Sequence, residues 1–180
     1  MVDTRRRAQR REKDKEQPVA RRTEAEPGPR TVFSLSEEET LELGRTLARG
    51  LKGGEIVLLE GELGLGKTVF ARGIAAGLGV APEDVSSPSF TLVQEYHGGR
   101  LVMFHVDLYR VNDITDEVGT LGLEEILSAG GVVVVEWGDK LPAYLRRGAL
   151  TVRFHDMGEG SRRIEIVPEP KTPARRLGDA

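Results

Sequence analysis

Apolar residues change their spacing from stretch to stretch along this chain, and each spacing predicts an element. Leu43, Leu47 and Leu51 recur every four residues, the one-face spacing of a helix, here predicted from Ser36 to about Leu51. Ser36 with Glu39 three residues later reads as a capping box, in which hydroxyl and carboxylate each take up a free amide. Lys52-Gly53-Gly54 stops that helix, and residues 31–35 ahead of it read as a short strand. Ile56, Val57, Leu58 and Leu59 form an unbroken apolar run in a strand predicted over 55–60, the pattern of a strand covered on both faces. A glycine-rich turn leads into a helix over 67–78, ended by Gly79. Pro88 breaks the chain before strands at 89–96 and 101–107, which Gly98-Gly99 joins as a hairpin. Residues 115–127 read as a helix with Leu123, Ile126 and Leu127 apolar, and Gly130-Gly131 precedes a strand of four valines over 132–136. A last hairpin pairs 149–155 with 162–167 through a turn at 157–160. Strands and helices alternate, which predicts an α/β sheet with helices on both faces.

Charge divides the 180 residues unevenly. The first 30 carry ten Lys and Arg against six acids, a net of +4, whereas the remainder sums to −7. Val2 and Val19 are the only large apolar side chains in that basic stretch apart from Met1, too few to offset the entropy of ordering it. The expected organisation is a disordered charged arm over 1–30, one domain over 31–168 and a flexible tail over 169–180. The longest apolar run, Val132 to Val135, is far short of the roughly 20 residues of a membrane span, and no apolar leader region is present. With no cysteine there is no disulfide frame, thiolate nucleophile or Cys-ligated zinc. The expectation is a soluble cytoplasmic protein.

The chemistry concentrates in Gly61-Glu62-Leu63-Gly64-Leu65-Gly66-Lys67-Thr68, two glycines five apart followed by Lys and Thr, with a third glycine between. At this chain's composition the pattern arises by accident in about one chain in a hundred. It also lies between an apolar strand and a helix, where a phosphate loop works. Gly61, Gly64 and Gly66 permit the positive φ that turns backbone amides inward around a phosphate. Lys67 supplies charge to the outer phosphates, Thr68 a hydroxyl to Mg²⁺, and the following helix presents its positive end. A nucleoside triphosphate is therefore expected against Gly61, Glu62, Leu63, Gly64, Leu65, Gly66, Lys67, Thr68 and Val69. No Asn-Lys-x-Asp element for guanine occurs, which favours ATP. The fold expectation sharpens to a P-loop NTPase-type three-layer sheet, largely parallel with antiparallel hairpins.

Magnesium at such a loop is met by acids at the ends of neighbouring strands. Glu136 closes the valine strand and Asp107 closes the strand before it. Glu136 is assigned to the metal, directly or through water, and Asp107 to its outer sphere or the attacking water; the reverse assignment stays open. Hydroxyl-rich Ser86-Ser87-Pro88-Ser89-Phe90-Thr91 takes the place of a switch segment that closes on the γ-phosphate. Trp137 directly follows Glu136, and its two open readings are a place beside the nucleotide and ordinary core packing. The three histidines show no ligand spacing.

Five segments in order, GELGLGKT (61–68) with Arg72-Gly73 a turn later, SPSFTLVQEY (87–96), HVDLYR (105–110), GLEEIL (122–127) and VVVVEWGD (132–139), together resemble the TsaE (YjeE) family of bacterial P-loop ATPases in tRNA threonylcarbamoyladenosine biosynthesis. The resemblance spans about 36–167. It implies a weak ATPase using ATP and Mg²⁺ that acts on a TsaB–TsaD pair, meets tRNA only through that pair, and permits its repeated turnover. By position it makes Lys67, Asp107 and Glu136 the catalytic residues, puts Thr68, Glu136 and Asp107 at the metal, and places Ser36 near the adenine. The family pattern lacks residues 1–30. The alternatives are a small P-loop kinase with Asp107 as base and Arg110 as phosphate clamp, or a non-catalytic ATP-sensing or RNA-binding module.

Overall fold

The computed structural model describes residues 28–112 and 122–168. Residues 1–27 of the expected arm, the tail at 169–180 and positions 115–121 of the expected helix lie outside the described residues. Arg30, expected as the last residue of the arm, instead opens the first strand.

Seven strands form one sheet: β1 (Arg30–Ser34), β2 (Ile56–Glu60), β3 (Val93–Tyr96), β4 (Met103–Asp107), β5 (Val132–Glu136), β6 (Leu150–Gly158) and β7 (Ser161–Pro168). Their spatial order is β1-β7-β6-β2-β5-β4-β3. The central four, β6, β2, β5 and β4, run parallel. Antiparallel pairings flank them, β6 with β7 and β7 with β1 on one side and β4 with β3 on the other. The expected doubly covered α/β sheet is thus present, with its hairpins at the two margins.

Helices α1 (Glu37–Ala48) and α2 (Lys67–Leu78) cover one face. Strand periodicity of two decides what they meet. Val57, Leu59, Val132 and Val134 turn toward α2's Phe70, Ile74 and Leu78, while Leu58, Val133, Val135, Phe104 and Val106 turn to the opposite face. There they join Leu141 and Leu123, the latter from α3 (Leu123–Ser128). The two covering helices approach closely because glycines line their crossing. A Cβ at Gly73 would stand 2.0 Å from the Leu41 carbonyl oxygen, and one at Gly44 2.3 Å from that of Phe70.

Several boundaries differ from the expected ones. Helix α1 ends at Ala48, with Leu51 buried just beyond it. The strand expected from Ser89 begins only at Val93, because Leu92 adopts φ 63° and its amide donates back to the Pro88 carbonyl. That turn directs Ser87 and Ser89 inward. The last hairpin runs longer than expected, Glu159 and Gly160 alone forming its tip, with a register irregularity between Asp156 and Gly158.

Candidate functional site

Strand β2 ends at Glu60 and the chain must turn at once into α2. Gly61, Gly64 and Gly66 make that turn with φ of 136°, 84° and 93°, the left-handed region that costs other residues dearly. Gly61 is needed twice over, since a Cβ there would lie 2.7 Å from the Phe154 carbonyl oxygen on β6. A Cβ at Gly64 would meet nothing within 4 Å, so the loop is open to a ligand on that side. Gly66 is the N-cap of α2 and offers no side-chain acceptor, leaving the helix's first amides available.

Lys67, though in the first turn of α2, is only 4% exposed. Its Nζ donates to the carbonyls of Gly61 and Glu62, both at 2.7 Å, and stands 4.1 Å from the centre of the Trp137 ring. Burial holds its pKa below the ordinary 10.5, opposed by the nearby carboxylates of Glu136, Asp107 and Asp139.

Parallel pairing sets Asp107 opposite Glu136 on one rung of β4 and β5. Both are buried, and both follow residues of their strands, Met103 and Val134, that face α2. Thr68 Oγ1 donates to Glu136 Oε1 at 2.8 Å, and His105 Nε2 lies 3.0 Å from the same oxygen. Asp107 Oδ2 accepts from Ser87 and Ser89 Oγ, each at 2.5 Å, while Oδ1 accepts the Tyr109 amide at 2.9 Å. Lys67, Thr68, Ser87, Ser89, Asp107 and Glu136, with Leu63, Gly64 and Trp137, line a cavity of about 200 Å³. One cation, two carboxylates and three hydroxyls thus converge on a space of phosphate dimensions. A wider depression of about 480 Å³ flanks the loop's other side, where Glu60 is paired with Arg146 and Arg153.

Most of the expected site residues come together here, in different capacities. Glu62 contributes its carbonyl, Leu63 is exposed at the rim, and Leu65 packs on the core and borders the second depression. Val69 sits in the first turn of α2. The Ser36 side chain caps α1, accepting from the Glu39 amide at 3.2 Å while Glu39 accepts the Leu35 amide at 2.7 Å, and it does not line the cavity. Trp137 takes φ 60° and tilts against Tyr109 with ring centres 5.1 Å apart. Arg110 does not line the cavity; its guanidinium stacks 3.9 Å over the exposed ring of Phe90.

Two participants escaped the sequence reading. His105, passed over for want of ligand spacing, is fully buried with Nδ1 unpartnered and Nε2 on Glu136. Its position two residues before Asp107 was the available signal, since period two puts both on one face. Lys140, in a one-turn helix after Trp137, donates to the carbonyls of Leu108, Tyr109 and Val111 at 2.8, 2.7 and 2.9 Å. It fastens the segment leaving β4 to the turn leaving β5.

Comparison with known proteins gives the family. The family model described as "Threonylcarbamoyl adenosine biosynthesis protein TsaE" matches residues 34–164. The tRNA threonylcarbamoyladenosine biosynthesis protein TsaE of Treponema pallidum is 37% identical over 134 residues, covering 74% of this chain and 97% of that protein. Its namesake from Bacillus subtilis is also 37% identical over 134 residues, covering 74% and 82%. Among solved structures, Bacillus subtilis YdiB superposes with a TM-score of 0.62 at 31% identity, over 78% of this chain and 85% of that one. With the matched span running from the end of β1 into β7, through every group of the cavity, this chain belongs to the TsaE family.

Proposed function

We propose that this protein is a Mg²⁺-dependent ATPase that serves threonylcarbamoyladenosine modification of tRNA by acting on a TsaB–TsaD pair in the cytoplasm. The observation that carries the reading is the convergence of Lys67, Thr68, Asp107 and Glu136 on one buried cavity at the mouth of a glycine loop. Family membership supports the pathway, since the relatives carry that process in their names. No helix of the described residues is long and apolar enough to cross a membrane, in keeping with a tRNA-modification role.

The donor set fits a nucleotide with its metal. Among the described residues no three His, Asp or Glu side chains are grouped to hold an ion by themselves. Magnesium commonly takes one or two protein oxygens and completes its shell with phosphates and water. Thr68 and Glu136, hydrogen-bonded to each other, would hold it, with Asp107 in its outer sphere. When bound, Mg²⁺ neutralises phosphate charge as the terminal bond breaks.

The chain's own groups do the rest. Lys67 exchanges its two loop carbonyls for phosphate oxygens, and the partial desolvation already imposed on its ammonium makes that exchange favourable. Ser87 and Ser89 tie the switch segment to Asp107, so closure of that segment and placement of this carboxylate are one event. Asp107 then orients the attacking water. Arg110, held on Phe90, does not line the cavity and so is not placed as the phosphate clamp of a metabolite kinase.

The test is reconstitution with TsaB, TsaD, substrate tRNA and ATP, counting modified nucleoside per enzyme. Multiple turnovers that depend on this protein and on its Lys67 support the reading. Turnover unchanged by its omission, or ATP consumed with phosphate appearing on a small acceptor, refutes it.

A further inference from the structure

Arg162, on β7, is 8% exposed and reaches beneath the phosphate loop. Its Nη1 donates to the Ser36 carbonyl at 3.1 Å and to Thr40 Oγ1 at 2.7 Å, and Nη2 donates to the Gly160 carbonyl at 2.8 Å. Every one of these acceptors is uncharged, and among the described residues no carboxylate pairs with this guanidinium.

The surroundings add to its charge. Ser36 is the N-cap of α1 and Gly66 the N-cap of α2, each helix twelve residues long. Nη1 lies 3.5 Å, and Cζ 3.7 Å, from the point a Gly66 Cβ would occupy. Two positive helix ends and a buried guanidinium therefore meet at the exit of the loop. The Ser36 carbonyl there already accepts from Ser34 Oγ, Thr40 Oγ1 and the Thr40 amide besides Arg162, so donors outnumber acceptors. A charge removed from water without a counter-charge is costly. What would compensate it is an anion on the other side of Gly66.

We propose that Arg162 is a nucleotide-affinity determinant, the fixed cation whose counter-charge is the phosphate chain seated on the loop and the start of α2. This rests on the loop's being a nucleotide site and adds a residue that the motif does not include. Its action is electrostatic, across Gly66, where a Cβ would lie 3.5 Å from Nη1, a range at which one charge exerts a substantial field. Arg162 thereby favours di- and triphosphates over less charged nucleotides, and Lys67 serves the outer phosphates.

The experiment measures ADP and AMP affinities by calorimetry on the full chain, with melting curves for each variant. Arg162→Gln should weaken ADP at least about tenfold and narrow the ADP-over-AMP preference, while Arg162→Lys, which keeps the charge, should stay within about threefold of the parent. Thr40→Val removes a hydrogen-bond acceptor but no charge and should also stay within about threefold. If Gln and Lys weaken ADP equally, or Thr40→Val does as much harm as Arg162→Gln, the guanidinium is a brace and the proposal falls. Should Arg162→Gln be too unstable to titrate, the Lys and Thr40 variants decide by the same limits. An unmodified protein that takes up no ADP would instead overturn the reading of the loop itself.

Discussion

Replacing Gly73 with alanine probes the contact on which the site is assembled. The added Cβ would start 2.0 Å from the Leu41 carbonyl oxygen, 2.9 Å from its carbon and 3.1 Å from the Arg45 amide. Ordinary contact begins near 3.4 Å, so α1 and α2 must part by about 1.4 Å at this point. The obstacle is helix backbone, which cannot swing aside as a side chain can. Overpacking of this kind costs about 3 kcal/mol, and alanine's better helix propensity returns about 1 kcal/mol. The net loss of about 2 kcal/mol corresponds to a melting point lower by roughly 4–8 °C for a chain of this size. Helix α2 is also capped by Gly66, the last glycine of the loop, so ADP affinity should fall with the melting point as α2 is displaced. Circular dichroism melts read the first effect and calorimetry the second. Gly50→Ala is the control, since its Cβ would find its nearest neighbour at 3.6 Å, and its melt should shift by less than about 3 °C. A Gly73→Ala protein melting at or above the parent would show that the helices are not held as closely as described.

Lys67→Met should abolish ATP hydrolysis. Because burial lowers the folded-state pKa below 10.5, the unfolded chain keeps this proton over a window where the folded protein has lost it, and stability contributed by Lys67 rises with pH there; in the Met variant, alkaline melting curves should lack that rise. Glu136→Gln keeps an oxygen for both Thr68 and His105, so its melting point should stay within about 2 °C while Mg²⁺-dependent turnover drops by about a hundredfold or more. His105→Gln can still donate to Glu136 and should retain more turnover than His105→Leu, with KM for ATP alike in both; equal rates would remove His105 from the positioning of that carboxylate. Trp137 is the sole tryptophan and touches Lys67, so Mg-ATP should change its fluorescence, and a silent signal during proven binding would separate the ring from the nucleotide.

Much of this arrangement could be read from local pattern. The apolar runs ending in Glu136 and Asp107, the glycine loop and the capping box at Ser36 each depend on neighbours in sequence, and each appears where expected. What could not be read depends on partners distant along the chain. His105 matters because parallel pairing sets β4 beside β5, and Arg162 because β7 returns under α1 and the loop. The segment before β3 misled for a different reason. Its hydroxyls suit a strand as well as a turn, and the choice is made by Asp107, which draws in Ser87 and Ser89. Lys140 likewise gives no local signal, and it matters because folding brings the carbonyls of the β4 exit within its reach.

The shared rung of Asp107 and Glu136 bears on how the site can move. Neighbouring strands are held roughly 4.8 Å apart by their main-chain ladder, so the spacing of the two acid backbones is a property of the sheet and independent of any loop. Opening one side of the cavity would mean tearing central strands apart, whereas the serine segment and the glycine loop are held to the site by side-chain hydrogen bonds from Ser87, Ser89 and Lys67 and lie outside that ladder. On the proposed function the site therefore has a stationary anvil and a movable hammer. On that reading, a partner protein that quickens hydrolysis would act on the serine segment or the glycine loop and leave the acid rung in place.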